Sequence, residues 1–117
     1  IIPGMVLKDG RPHFAFGVMG GEFQPQGHVQ VLLNLLVFGM NPEEAGERAR
    51  AAEDNGAVYL ESGIGEEARE KLRSMGHDVR PGNTGGFGGY QGILIDPATG
   101  AYMAGSDPRK DGCAAGY

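Results

Sequence analysis

Two adjacent glycines, Gly20 and Gly21, separate the apolar run Phe14-Ala15-Phe16-Gly17-Val18-Met19 from a long apolar segment, Val29 to Phe38. A short apolar run, a glycine break and a long apolar segment predict strand, tight turn and helix in succession. The pair lets the backbone turn where a side chain would clash and leaves its N–H groups open. Two N–H groups aimed at one point near a helix start would suit a carboxylate, or the oxyanion of an acyl-transfer intermediate. Taken alone, the dipeptide is a weak signal and reads first as a structural turn.

The flanking segments complete an order of elements. Met5-Val6-Leu7 and Phe14–Val18 are separated by Lys8-Asp9-Gly10-Arg11, and the Asp-Gly step predicts a hairpin. The helix from about residue 26 to 38 is apolar on nearly every face, which predicts burial on most sides, with Gly39 closing it. Asn41-Pro42-Glu43-Glu44 is a helix start of the capping-box type, and that helix is expected to reach about Ala52. Strands are expected over 57–61, 78–80, 91–96 and 101–105, and a surface helix over 65–75. The loop 81–89 holds five glycines, and the last dozen residues read as an extended tail. The order ββααβαβββ, with hairpins segregated from helices, argues an α+β fold or a layered α/β sandwich.

Composition narrows the function. The chain has 117 residues, a length suited to one domain or a piece of one, and a net charge of −5. That acidic balance gives no footprint for nucleic acid. Glycine is 22 of 117 against roughly 7% in ordinary proteins, without a period of three, so tight turns and close backbone approaches are expected. Cys113 is the only cysteine, so no internal disulfide forms and the default is an inert thiol. No apolar stretch is long enough to span a membrane, and no basic stretch followed by an apolar core opens the chain. The start on Ile1-Ile2-Pro3 without Met suggests a fragment or a processed product.

Other chemistry finds little support. His13, His28 and His77 are scattered, and Glu43-Glu44 and Glu66-Glu67 sit at helix starts, so no metal or other cofactor is expected. The hydroxyls Ser62, Ser74, Thr84, Thr99 and Ser106 are internal, none in a Gly-x-Ser-x-Gly elbow; Ser62 reads as a helix cap. The run Gly82-Asn83-Thr84-Gly85-Gly86-Phe87-Gly88-Gly89 precedes a strand and lacks the Lys-Ser/Thr ending of a phosphate loop, so it reads as a mobile or closely packed turn. The tail from Gly105 to Tyr117 reads as packing on a neighbour or disordered.

Taken in order, several segments resemble the C-terminal part of the small subunit of γ-glutamyltransferases (γ-glutamyltranspeptidases, glutathione hydrolases), which are N-terminal-nucleophile hydrolases. They are Pro3–Gly10, Gly17–Gly21, Leu32–Leu36, Phe38–Asn41 with Glu44-Ala45, Val58–Glu61, Gly76-His77, Gln91–Ile95, Gly105–Arg109 and Ala115–Tyr117. The stretch Gln24-Pro25-Gln26-Gly27-His28 looks like a bacterial branch distinct from the best-known members. The resemblance implies a mostly antiparallel αββα sandwich, of which residues 1–117 would be one incomplete domain. It implies a precursor that cuts itself to expose a Thr nucleophile, which attacks a γ-glutamyl amide with its own α-amine as base. The acyl-enzyme then passes to water or to an acceptor amino acid or peptide. Gly20 and Gly21 stand where the family's pair donates N–H groups to the oxyanion. Arg50 matches the Arg of a Pro-Arg pair whose Pro is Ala49 here, a departure bearing on the helix end.

Neither the Thr nor the substrate-gripping residues are expected on this chain, whose partners would be the large subunit and the N-terminal part of the small subunit. Its substrate would be a small γ-glutamyl compound. Alone, the chain is expected to be inert. The alternatives are a related acylase acting on glutaryl-cephalosporins or poly-γ-glutamate, or a truncated homologue serving as a binding module.

Overall fold

Asp9 and Gly10 both take positive φ, 53° and 75°, the geometry of a two-residue hairpin turn. They join β1 (Pro3–Lys8) to β2 (Arg11–Met19). A computed structural model describes residues 1–116; the Thr84 side chain and Tyr117 lie outside the described residues.

After β2 comes a 3₁₀ turn, Gly21–Phe23, then α1 (Gln24–Leu36) and α2 (Pro42–Glu47). A hairpin of β3 (Ala51–Asp54) and β4 (Ala57–Leu60) leads to α3 (Glu66–Ser74) and β5 (Asp78–Pro81). A second 3₁₀ turn, Thr84–Phe87, precedes the hairpin of β6 (Gly89–Ile95) and β7 (Tyr102–Ser106). One sheet has the order β1-β2-β6-β7 and is antiparallel throughout. The other has the order β3-β4-β5, with β4 and β5 parallel. The fold is thus α+β with mostly antiparallel strands.

The core lies between the four-stranded sheet and the first two helices. Phe14, Phe16 and Val18 alternate along one face of β2 and meet Val31, Leu35, Ala45 and Tyr90. Gly27 lets α1 settle on β2, since a Cβ there would stand 2.8 Å from Val18 Cγ1. The capping box at Asn41 is formed: the Glu44 N–H donates to Asn41 Oδ1, and the Asn41 N–H to Glu44 Oε2, both at 2.9 Å.

Four expectations are corrected. The second helix stops at Glu47, because Arg48 is already extended and residues 51–54 form β3. The element order is therefore ββααββαβββ. Helix α1 buries only Gly27, Val31 and Leu35; Val29, Leu33 and Leu36 remain exposed. Gly65, not Ser62, is the N-cap of α3. Finally, the tail beyond β7 is anchored by its own charged groups, since Asp107 is fully buried. No helix among the described residues is long and apolar enough to cross a membrane.

Candidate active site at the glycine turn

Where β2 ends, Gly20 adopts φ 140°, ψ 27°, and Gly21 adopts φ 59°. Side chains are disfavoured at both positions, so the glycines are demanded by backbone geometry. The Phe23 N–H donates to the Gly20 carbonyl at 3.2 Å, closing the 3₁₀ turn that runs directly into α1. Among the described residues, the N–H groups of Gly20 and Gly21 meet no acceptor. Gly21 is exposed and Gly20 half-buried. The turn therefore presents two unpaired donors at the start of a helical segment, where the backbone dipoles favour negative charge.

The glycine-rich loop is packed against this turn. A Cβ on Gly20 would stand 3.1 Å from Gly88 Cα, and one on Gly88 would overlap the Met19 carbonyl oxygen. The ring of Phe87 lies over that of Phe23, with centroids 6.4 Å apart. Of the two loop readings, the closely packed turn is the one observed. Beside it opens a cleft of about 300 Å³, lined by residues including Phe23, Tyr59, Asn83 and Phe87. A larger cleft of about 540 Å³ near Arg48 and Gly63 shares no lining residue with the turn.

A buried ionic network backs the loop. Arg50 donates from Nη1 to the Phe87 carbonyl at 2.8 Å and from Nη2 to Asp107 Oδ2 at 2.6 Å. Asp107 also accepts the Tyr90 N–H at 2.9 Å and the Arg109 N–H at 2.9 Å. Arg109 grips Glu61 through Nε and Nη2 at 2.8 and 2.5 Å, and Glu61 Oε2 accepts the Arg50 N–H at 2.7 Å. Burial alone would raise the Asp107 carboxyl, but the Arg109 N–H, the Arg50 charge and the Tyr90 N–H together hold it below its ordinary range. Burial, with Glu43 nearby, raises Tyr90.

Sequence reasoning placed Gly20 and Gly21 at a strand-to-helix turn, and the structure agrees. The network is not legible in the sequence: Arg50 reads as part of a helix end, and no motif at Glu61, Asp107 or Arg109 announces a buried ion pair. The available signal is the oppositely charged pair of Asp107-Pro108-Arg109 within a tail of mostly small and polar residues. The other candidates lie elsewhere. Cys113 and His77 are exposed, Ser74 Oγ donates to the Lys71 carbonyl within α3, and Thr99 Oγ1 donates to Asp96 in the β6–β7 turn. Ser106 Oγ accepts from Gln91. Among the described residues, no group of three or more His, Cys, Asp or Glu could hold a metal ion.

The chain and its fold match known proteins. A family model described as gamma-glutamyltranspeptidase matches residues 1–117. The glutathione hydrolase-like YwrD proenzyme of Bacillus subtilis is 30% identical over 123 residues, covering 99% of this chain and 23% of that protein. The oxamate amidohydrolase proenzyme of Klebsiella pneumoniae is 29% identical over 118 residues, covering 95% of this chain and 22% of its own length. The crystal structure of cephalosporin acylase from Bacillus halodurans matches with a TM-score of 0.96 at 39% identity, over 100% of this chain and 22% of that one. Gamma-glutamyltranspeptidase from Pseudomonas nitroreducens shares the fold, with a TM-score of 0.85 at 23% identity, over 99% of this chain and 61% of that one. The chain thus spans 23% and 22% of the two curated relatives.

Proposed function

From the premise that this chain belongs to the gamma-glutamyltranspeptidase family, we propose that residues 1–117 are the C-terminal portion of a γ-glutamyl hydrolase or transferase and supply its oxyanion hole. The observation that carries this reading is the pair of unpaired N–H groups at Gly20 and Gly21, held at a strand end and a helix start. A Thr on another segment of the enzyme attacks the γ-glutamyl carbonyl, and its α-amine takes the hydroxyl proton. The carbonyl oxygen becomes an oxyanion, accepts hydrogen bonds from the two glycines, and collapses to an acyl-enzyme as the α-ammonium gives its proton to the departing amine nitrogen. Water or an acceptor amine then takes the acyl group and releases the Thr. The donors act where negative charge develops, so they lower the barrier more than they tighten substrate binding. This chain alone, without the nucleophile, is inactive.

A second reading, an acylase with the same turn and a different acyl chain, draws on the 39% identity to the cephalosporin acylase over the full length of this chain. Intact mass of the native protein, followed by turnover of a γ-glutamyl anilide and a glutaryl-cephalosporin, tests both. Products larger than 12.3 kDa that hydrolyse the anilide support the first reading; preference for the glutaryl compound selects the second. A single mass near 12.3 kDa with no turnover of either contradicts both and favours a non-catalytic binding module.

A further inference from the structure

The stretch Gln24-Pro25-Gln26-Gly27-His28-Val29-Gln30 follows the glycine turn at once, and its polar side chains each take a different task. Gln24 Oε1 accepts the Ile2 N–H at 2.6 Å, at the head of β1. Gln26 exchanges two hydrogen bonds with the backbone of Glu53, and Gln30 exchanges two with that of Ala51, so both seal the edge of β3. His28 reaches back to the strand that carries the turn: its Nε2 accepts the Val18 N–H at 3.2 Å. Strand β1 pairs with β2 only as far as Gly17, so the Val18 N–H lies beyond the end of that ladder. It would be an orphan donor at a buried residue without the imidazole. The ring packs on Phe16, with centroids 4.9 Å apart.

We propose that His28 is a positioning residue for the oxyanion turn, fixing the aim of the Gly20 and Gly21 N–H groups through its hydrogen bond to Val18. This rests on the oxyanion reading of the glycine pair. The bond joins the residue two places before Gly20 to the residue seven places after Gly21, so it closes the chain across the turn. The entry by strand and the exit by helix are then held in one frame. Oxyanion donors must lie about 2.7–3.1 Å from the oxyanion and aim at it, so a frame that rotates loses transition-state binding. An accepting Nε2 places the proton of a neutral ring on Nδ1. Burial lowers the His28 pKa, keeping that form at neutral pH. No neighbouring charge contributes: Phe16 and Val18 are apolar, α1 has no other titratable residue, Glu22 is exposed in the 3₁₀ turn, Arg11 and His13 lie at the far end of β2, and neither Glu43, Glu44 and Glu47 of α2 nor Glu53 and Asp54 of β3 shifts it.

The test uses the mature enzyme from the full-length gene, with kcat and KM measured on a γ-glutamyl anilide from pH 5 to 9. His28→Leu is expected to lower kcat by about 10- to 100-fold with little change in KM. His28→Gln, whose amide oxygen reaches the place of Nε2, recovers most of that kcat; His28→Asn does not. Gly21→Val is the control for the oxyanion reading itself. A wild-type kcat in His28→Leu with a collapsed kcat in Gly21→Val overturns the positioning role and leaves the oxyanion hole standing. Equal losses in His28→Leu and His28→Gln also overturn it. If Gly21→Val keeps its kcat, the oxyanion reading fails first.

Discussion

Asp107 is one residue on which the arrangement behind the turn depends. Its side chain is 0% exposed and satisfies Arg50, Arg109 and the Tyr90 N–H together. Asp107→Ala would leave two buried guanidinium groups facing each other, a loss of about 3–5 kcal/mol, visible as a lower urea midpoint of the intact protein. The same carboxylate sets an acid dependence. Its folded pKa is depressed below the ordinary 3.8, so its contribution is fully present above that value and is lost as pH falls through the depressed one. His28 acts in the same direction at higher pH. Its folded pKa lies below 6.5, so its neutral form stops favouring the fold as pH drops from 6.5 toward that lower value. A stability profile that shows no fall below 6.5 would contradict the His28 assignment, and one that shows no fall below 3.8 the Asp107 assignment. The glycine pair was legible in sequence because its signal is local: two glycines between two apolar runs. Asp107 was not, because its partner Arg50 is 57 residues away and nothing in the intervening sequence announces the contact.

At the scale of elements, local chemistry was legible and long-range cover was not. The Asp9-Gly10 hairpin, the Asn41 capping box and the acidic-to-basic polarity of α3 all follow from neighbouring residues and all stand in the structure. Strand β3 was missed although Asn55 and Gly56 carry the strongest short hairpin signal, with φ of 50° and 85°. The apparent continuation of α2 obscured it, because Arg48-Ala49-Arg50-Ala51-Ala52 is a good helical run by propensity alone. Burial of Arg50 and pairing of Ala51–Asp54 with β4 override that propensity. The turn gives a direct check. Gly56→Val forces a side chain into the left-handed region, at a cost of about 1–2 kcal/mol, and should lower the unfolding midpoint.

Across the whole molecule, apolar surface is left uncovered on two sides. The sheet face opposite the core carries Met5, Ala15 and Ile93 in one cross-strand row, with Met5 56% and Ile93 46% exposed. Beyond α1, Val37 and Phe38 are each 66% exposed. Surface of this kind marks an interface, so the chain expressed by itself is expected to self-associate, read as a rising mass by light scattering, and to stay dispersed within the full-length protein. The same uncovered surface explains why the sequence of α1 predicts burial on all sides: its apolar residues are more numerous than those the neighbouring elements cover. The central claim is that this chain contributes the oxyanion hole of an enzyme whose nucleophile lies elsewhere. Gly21 offers the cleanest test, because a side chain there meets nothing within 4 Å and acts only through the backbone at φ 59°. In the mature full-length enzyme, Gly21→Val should lower kcat for a γ-glutamyl anilide by about 100- to 1,000-fold with KM little changed. A wild-type kcat in that variant would contradict the account.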